Sequence, residues 1–79
     1  MDREQIKHLM AVIYAAYPNY YRGASPQDRA DAVDLWTTMF SEDSPELVAG
    51  AVKAFIASDE KGFPPVIGQI KAKIRDIHA

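Results

Sequence analysis

The sequence predicts an all-α fold: a small bundle of four short helices with a Phe-Pro-Pro corner before the last. Three observations predict it. Apolar residues recur every three or four positions in four separate stretches, the spacing of one helical face. No stretch alternates apolar and polar residues for long enough to make a strand. Proline, glycine and serine gather between the stretches, where turn chemistry belongs. At 79 residues the chain is expected to be one domain, residues 1–79, near the lower size limit for an unassisted core. It has no cysteine, so neither a disulfide nor a thiolate metal site can brace it, and packing must supply the stability.

The first helix is expected from about Asp2 to Tyr17. Ile6, Leu9, Met10, Ile13, Ala16 and Tyr17 share one face, with Glu4, His8, Ala11 and Ala15 opposite. Pro18 ends it, because a proline disfavours the α conformation in the residue before it. "NYYRGASPQ" reads as a loop. Ser25 can cap the second helix, with Pro26 at its first position. That helix reaches about Phe40 and is expected to bury Ala32, Val33, Trp36, Met39 and Phe40, with Leu35 at the edge. Ser44-Pro45 repeats the start signal. Leu47, Val48, Ala51, Val52 and Phe55 then follow at helical spacing.

In "KGFPPVIGQI", Pro64 and Pro65 fix their own φ and donate no backbone hydrogen bond. The third helix must therefore end before Phe63, with Lys61-Gly62 as its exit. Pro65 is expected to open the fourth helix, where Ile67, Ile70, Ile74 and Ile77 make one narrow stripe flanked by Lys71 and Lys73. Phe63 admits two readings: a core plug between the third and fourth helices, or an exposed docking knob. The plug is the expectation.

Charge is unevenly placed. Net charge is only −2, a weak attraction for nucleic acid. Residues 28–60 carry eight acids against Arg29 and Lys53, whereas from residue 61 onward Lys61, Lys71, Lys73 and Arg75 face Asp76 alone. The plainer expectation is that these halves complement each other within one fold; the sharper is that the basic end touches an acidic partner. No apolar run approaches the ~18 residues of a membrane span, and "MDREQIKHLM" lacks a signal-peptide layout. A cytosolic protein is expected.

Catalysis needs a nucleophile with a base, paired carboxylates in a pocket, or a metal cage. His8 lies one turn from Glu4 with no second such pair, so it reads as solvent-facing, as does His78. Asp31 and Asp34 read as a solvated face. No enzyme activity, metal or cofactor is expected. Tyr14, Tyr17, Tyr20 and Tyr21 form an aromatic cluster: the first two read as core rim, the last two as a protein-docking surface. Only Arg22 is adjacent, too little cation to favour base stacking. A second functional reading is a small DNA-binding regulator, with the second and third helices as a helix-turn-helix. Its third helix would present Glu46, Gly50, Lys53 and Ala57, one cation where phosphate contact needs several.

The order of features, "AAYPNY", then the helix bearing Trp36, then a short helix and "FPPVIGQI", resembles the phage loader-and-inhibitor proteins of the replicative DNA helicase. The likeness covers about residues 5 to 75. Its most specific part is Phe63-Pro64-Pro65 with Ile67 and Ile70; Tyr17-Pro18 and Trp36 support it. The resemblance implies a non-enzymatic adaptor in the cytoplasm of a bacterial host. It would bind the hexameric replicative helicase, hold it inactive and hand it to an origin-bound phage initiator. Tyr20, Tyr21, Lys71 and Arg75 are the expected protein-binding residues, with no membrane and no direct nucleic-acid contact. Two departures stand out. Similar proteins carry Thr or Ser after the double proline and an acid three residues on, a capping box, where this chain has Val66 and Gln69. They also continue into a polar, flexible tail that contacts the helicase. This chain ends at Ala79 and is expected to be the folded domain alone or a short form.

Overall fold

The long helices begin where polar side chains meet amide groups that have no partner within the helix. In α1 (Arg3–Ala16), the Asp2 carboxylate accepts from Gln5 N–H at 2.9 Å, and the Gln5 side chain accepts from Asp2 N–H at 2.9 Å. Ser25 and Asp28 make the same exchange ahead of α3 (Pro26–Met39), as the Ser-Pro signal predicts. The start of α4 (Pro45–Ser58) falls where Ser44-Pro45 predicts it, but by different chemistry. Ser44 Oγ donates to Glu46 Oε2 at 2.8 Å instead of capping the backbone. Glu46 folds back toward its own N–H, and that bond, with the serine hydroxyl, holds its carboxyl below the usual range. The acid caps in place of the serine.

The computed structural model describes residues 1–78, the side chain of His78 excepted, so the expectations for that side chain and for the end at Ala79 lie outside the described residues. Five helices are present rather than four. The extra one, α2 (Pro18–Tyr21), is a single turn inside the expected loop. Tyr17 breaks from α1 with φ −130° and ψ 59°, and Pro18 suits the first position of a new turn. The proline that stops one helix therefore starts the next. The last helix, α5 (Ile67–His78), begins two residues later than Pro65.

The core is assembled from Ile6, Leu9, Met10, Ile13 and Tyr17 of the α1 side, Val33, Trp36 and Phe40 of α3, Val48, Ala51 and Val52 of α4, and Ile70 of α5. α1 packs on both α3 and α4, and α5 lies along α4. Trp36 and Phe40 sit with ring centroids 5.4 Å apart. Along the isoleucine stripe Ile70 is fully buried, Ile67 and Ile74 are half-buried, and Ile77 is exposed. Two residues expected inside are outside: Ala16, and Met39 at 44% exposed. Helical geometry explains Met39. Seven residues return Phe40 almost to the direction of Val33, whereas six leave Met39 about 120° away.

The charge halves meet within the fold. Lys71 Nζ donates to Asp43 Oδ2 at 2.5 Å and lies 4.7 Å from the centre of the Phe40 ring. Arg3 pairs with Asp34 on the surface. The Met1 amino nitrogen donates to the carbonyls of Phe40, Ser41 and Asp43 at 3.1–3.3 Å, satisfying the end of α3. Phe40→Ala should cost ~3–5 kcal/mol in urea unfolding. Met39→Ala, one residue away, should cost no more than ~0.5 kcal/mol.

Candidate protein-binding surface

The corner that the sequence singles out is built from Asp59 outward. After α4 ends at Ser58, the Asp59 carboxylate accepts from Lys61 N–H at 3.0 Å and Gly62 N–H at 3.1 Å, curling the chain. Gly62 has φ 79°, a backbone state that side chains with a Cβ disfavour. Phe63, Pro64 and Pro65 follow without helix. Val66 N–H then donates to Gln69 Oε1 at 2.9 Å, so half of a capping box survives where the acid is missing.

Phe63 is not the core plug that was expected. It is 58% exposed, and Pro65 is buried instead. Two adjacent prolines favour a path of about three residues per turn, so neighbouring side chains point roughly a third of a turn apart. Burying Pro65 directs Phe63 away from the core. Its ring meets Tyr20 edge to face, centroids 5.8 Å apart, and Tyr20 is 51% exposed. The corner and the short α2 thus present a shared aromatic pair.

Asp59 ties this surface to the core. Tyr17 Oη donates to Asp59 Oδ2 at 2.8 Å across 42 residues of sequence. That bond is the main cause of an Asp59 carboxyl held below the usual carboxylate range, with the Lys61 and Gly62 amides adding to it. Burial and the same bond push Tyr17 up to about 12. Sequence reading missed Asp59, although an aspartate three residues before a glycine at a helix end is a turn signal.

The other expected contact residues divide. Tyr21 is half-buried, its ring 4.6 Å from Tyr14, with Arg29 over the Tyr14 ring and bonded to the Tyr21 carbonyl at 3.0 Å. Lys71 is committed to Asp43 and Phe40. Tyr20 and Arg75 are exposed. Of the motif residues, Tyr17, Trp36, Pro65 and Ile70 are buried, Pro64 and Ile67 half-buried, and Pro18 exposed. The structure brings Tyr20 and Phe63 together; no contact joins that pair to Arg75.

A second concavity, about 300 Å³, lies between α1 and α4 over Leu9, Val12, Pro45 and Val52, with His8 and Lys53 at its edge. Among the described residues no three His, Asp or Glu side chains gather where a metal ion could be held. No described helix is long and apolar enough to cross a membrane. The outer face of α4 carries Glu46, Gly50, Lys53, Ala54 and Ala57, all exposed. With one cation there, the helix-turn-helix reading gains no support.

Fold and surface together define a small helical-bundle domain whose outward features are an aromatic pair and a rigid corner. Residues 1–71 match the family described as the N-terminal domain of the phage gene 39 protein. The chain belongs to that family, the N-terminal domain of a phage helicase loader/inhibitor. No curated protein and no solved structure is significantly similar to it.

Phe63→Ala should change unfolding free energy by no more than ~0.5 kcal/mol, the mark of an exposed ring. Tyr17→Phe should cost about 1 kcal/mol, a fall in Tm of roughly 4–8 °C. The pair also sets a pH profile. The lowered Asp59 carboxyl adds stability that is present above its ordinary value of 3.8 and lost as pH falls through its folded value. The raised Tyr17 hydroxyl adds stability that is present below 10.0 and lost as pH rises toward about 12. Thermal melts across pH should show that alkaline loss in the parent and a smaller one in Tyr17→Phe.

Proposed function

We infer that this domain acts as a phage replication adaptor in the cytoplasm of a bacterial host. It binds the hexameric replicative helicase, keeps it inactive, and delivers it to an origin-bound initiator. The family match over residues 1–71 carries this reading. Directional delivery requires coupling: binding of the initiator must change the affinity for the helicase by a definite factor, and the helicase must change initiator affinity by the same factor.

The exposed residues give the reading its contacts. Tyr20, braced by Phe63, and Arg75 meet partners directly. Tyr21 and Lys71, which are held internally, contribute by positioning α2 and α5. Large half-exposed aromatics are favourable contact residues because they bury much area at little entropic cost.

The test is co-purification of the chain with the host replicative helicase, with and without ATP, followed by a strand-unwinding assay. A stable complex with depressed unwinding is expected, and Tyr20→Ala should weaken it about tenfold or more while the thermal melt stays unchanged. A chain that neither binds nor inhibits in either nucleotide state removes the adaptor reading.

A further inference from the structure

Where the C-terminal ends of α1 and α4 approach each other, a cavity of about 360 Å³ opens beside the corner, lined chiefly by Tyr17, Pro18, Tyr20, Ile56, Asp59 and Gly62. Asp59 brings the only formal charge to that lining. Three donors are already aimed at its carboxylate: Lys61 N–H at Oδ1, and Tyr17 Oη and Gly62 N–H at Oδ2. All three are neutral, so they fix the carboxylate in place without cancelling its charge. A carboxylate offers about four acceptor positions, which leaves one on Oδ1. Lys61 acts on Asp59 through its charge, but its ammonium makes no ion pair with it.

Tyr20 lines the same cavity, half exposed, with its ring braced by Phe63. An anchored anion beside a fixed aromatic ring suits a guanidinium. The flat cation stacks on the ring and donates one charge-assisted hydrogen bond to the open acceptor position. An ammonium suits it less, being more strongly hydrated and having no flat face for the ring. The exposed Phe63 beside Tyr20 adds apolar surface that a lone small cation would leave bare, whereas a protein segment would cover it.

The geometry points to this cavity as a socket for an arginine side chain presented by a partner protein, held by Asp59 and stacked on Tyr20. The inference rests on the adaptor reading only for which partner supplies the arginine.

The probes are the peptide acetyl-Leu-Arg-Leu-amide and its citrulline and lysine counterparts, titrated into the isotope-labelled chain and followed by amide NMR shifts. The arginine peptide is expected to move the Asn19, Tyr20 and Gly62 amides. Citrulline, which keeps the shape and loses the charge, should bind at least tenfold more weakly, and lysine severalfold more weakly. Asp59→Asn should erase the arginine-over-citrulline preference. Tyr20→Leu, which leaves the Asp59 turn untouched, should erase the arginine-over-lysine preference, so the socket is tested even if Asp59→Asn fails to fold. Equal binding of arginine and citrulline peptides by the parent, shifts confined to another face, or no shifts would overturn the socket. Equal binding of the lysine peptide would overturn the stacking. Because these peptides involve no helicase, a negative result strikes the socket alone, whereas failed co-purification strikes the adaptor reading alone.

Discussion

How the chain leaves α4 governs where α5 can lie, and with it the closing of the core. Asp59 gathers two backbone amides and the Tyr17 hydroxyl, so one carboxylate both shapes the turn and fastens it to the end of α1. Gly62 supplies the left-handed step, and the two prolines remove most of the remaining backbone freedom. The burial of Pro65 then sets α5 against α4, with Ile70 fully enclosed. In a domain this small no other element could replace that isoleucine contact. Much of the entropy of fixing the corner is already lost in the unfolded chain, because proline is restricted there too.

Local features were largely legible in the sequence, and long-range ones were not. The Ser25 cap, the two Ser-Pro starts and the apolar spacing of the long helices depend on residues within one or two turns, and each lies where the sequence places it. Phe63 was misjudged because type and neighbourhood suggest burial, while the outcome depends on how the proline path is rotated about its own axis. Met39 failed for a similar reason: several inward registers fit the pattern, and packing of Phe40 selected one. The single turn α2 is too short to show a period at all. At the candidate site Tyr20 was legible as an exposed aromatic. The Tyr17–Asp59 bond, with 42 residues between its ends, had no local signature. Lys71 looked like a free basic residue until Asp43, 28 residues earlier, came beside it.

The motif that carries the family likeness is divided between two duties. Tyr17, Trp36, Pro65 and Ile70 maintain the bundle, whereas Phe63 is turned outward onto Tyr20. A short motif can therefore hold a framework and a contact surface in fixed relation. Rigidity matters at such a surface. An aromatic pair already held edge to face, beside a carboxylate already oriented by three donors, has little left to order when something binds.

The start of α5 has its own consequence. Gln69 reaches back to the Val66 amide, so a neutral side chain performs the bond that an acid makes in similar proteins. A carboxylate there would add attraction to the helix dipole, but that attraction is screened by salt and vanishes on protonation. The amide forgoes it and neither titrates nor responds to ionic strength. The hinge of this molecule is thus buffered against its surroundings: acidification or a salt shock that loosens Asp59 at one end of the corner leaves the other end gripping as before.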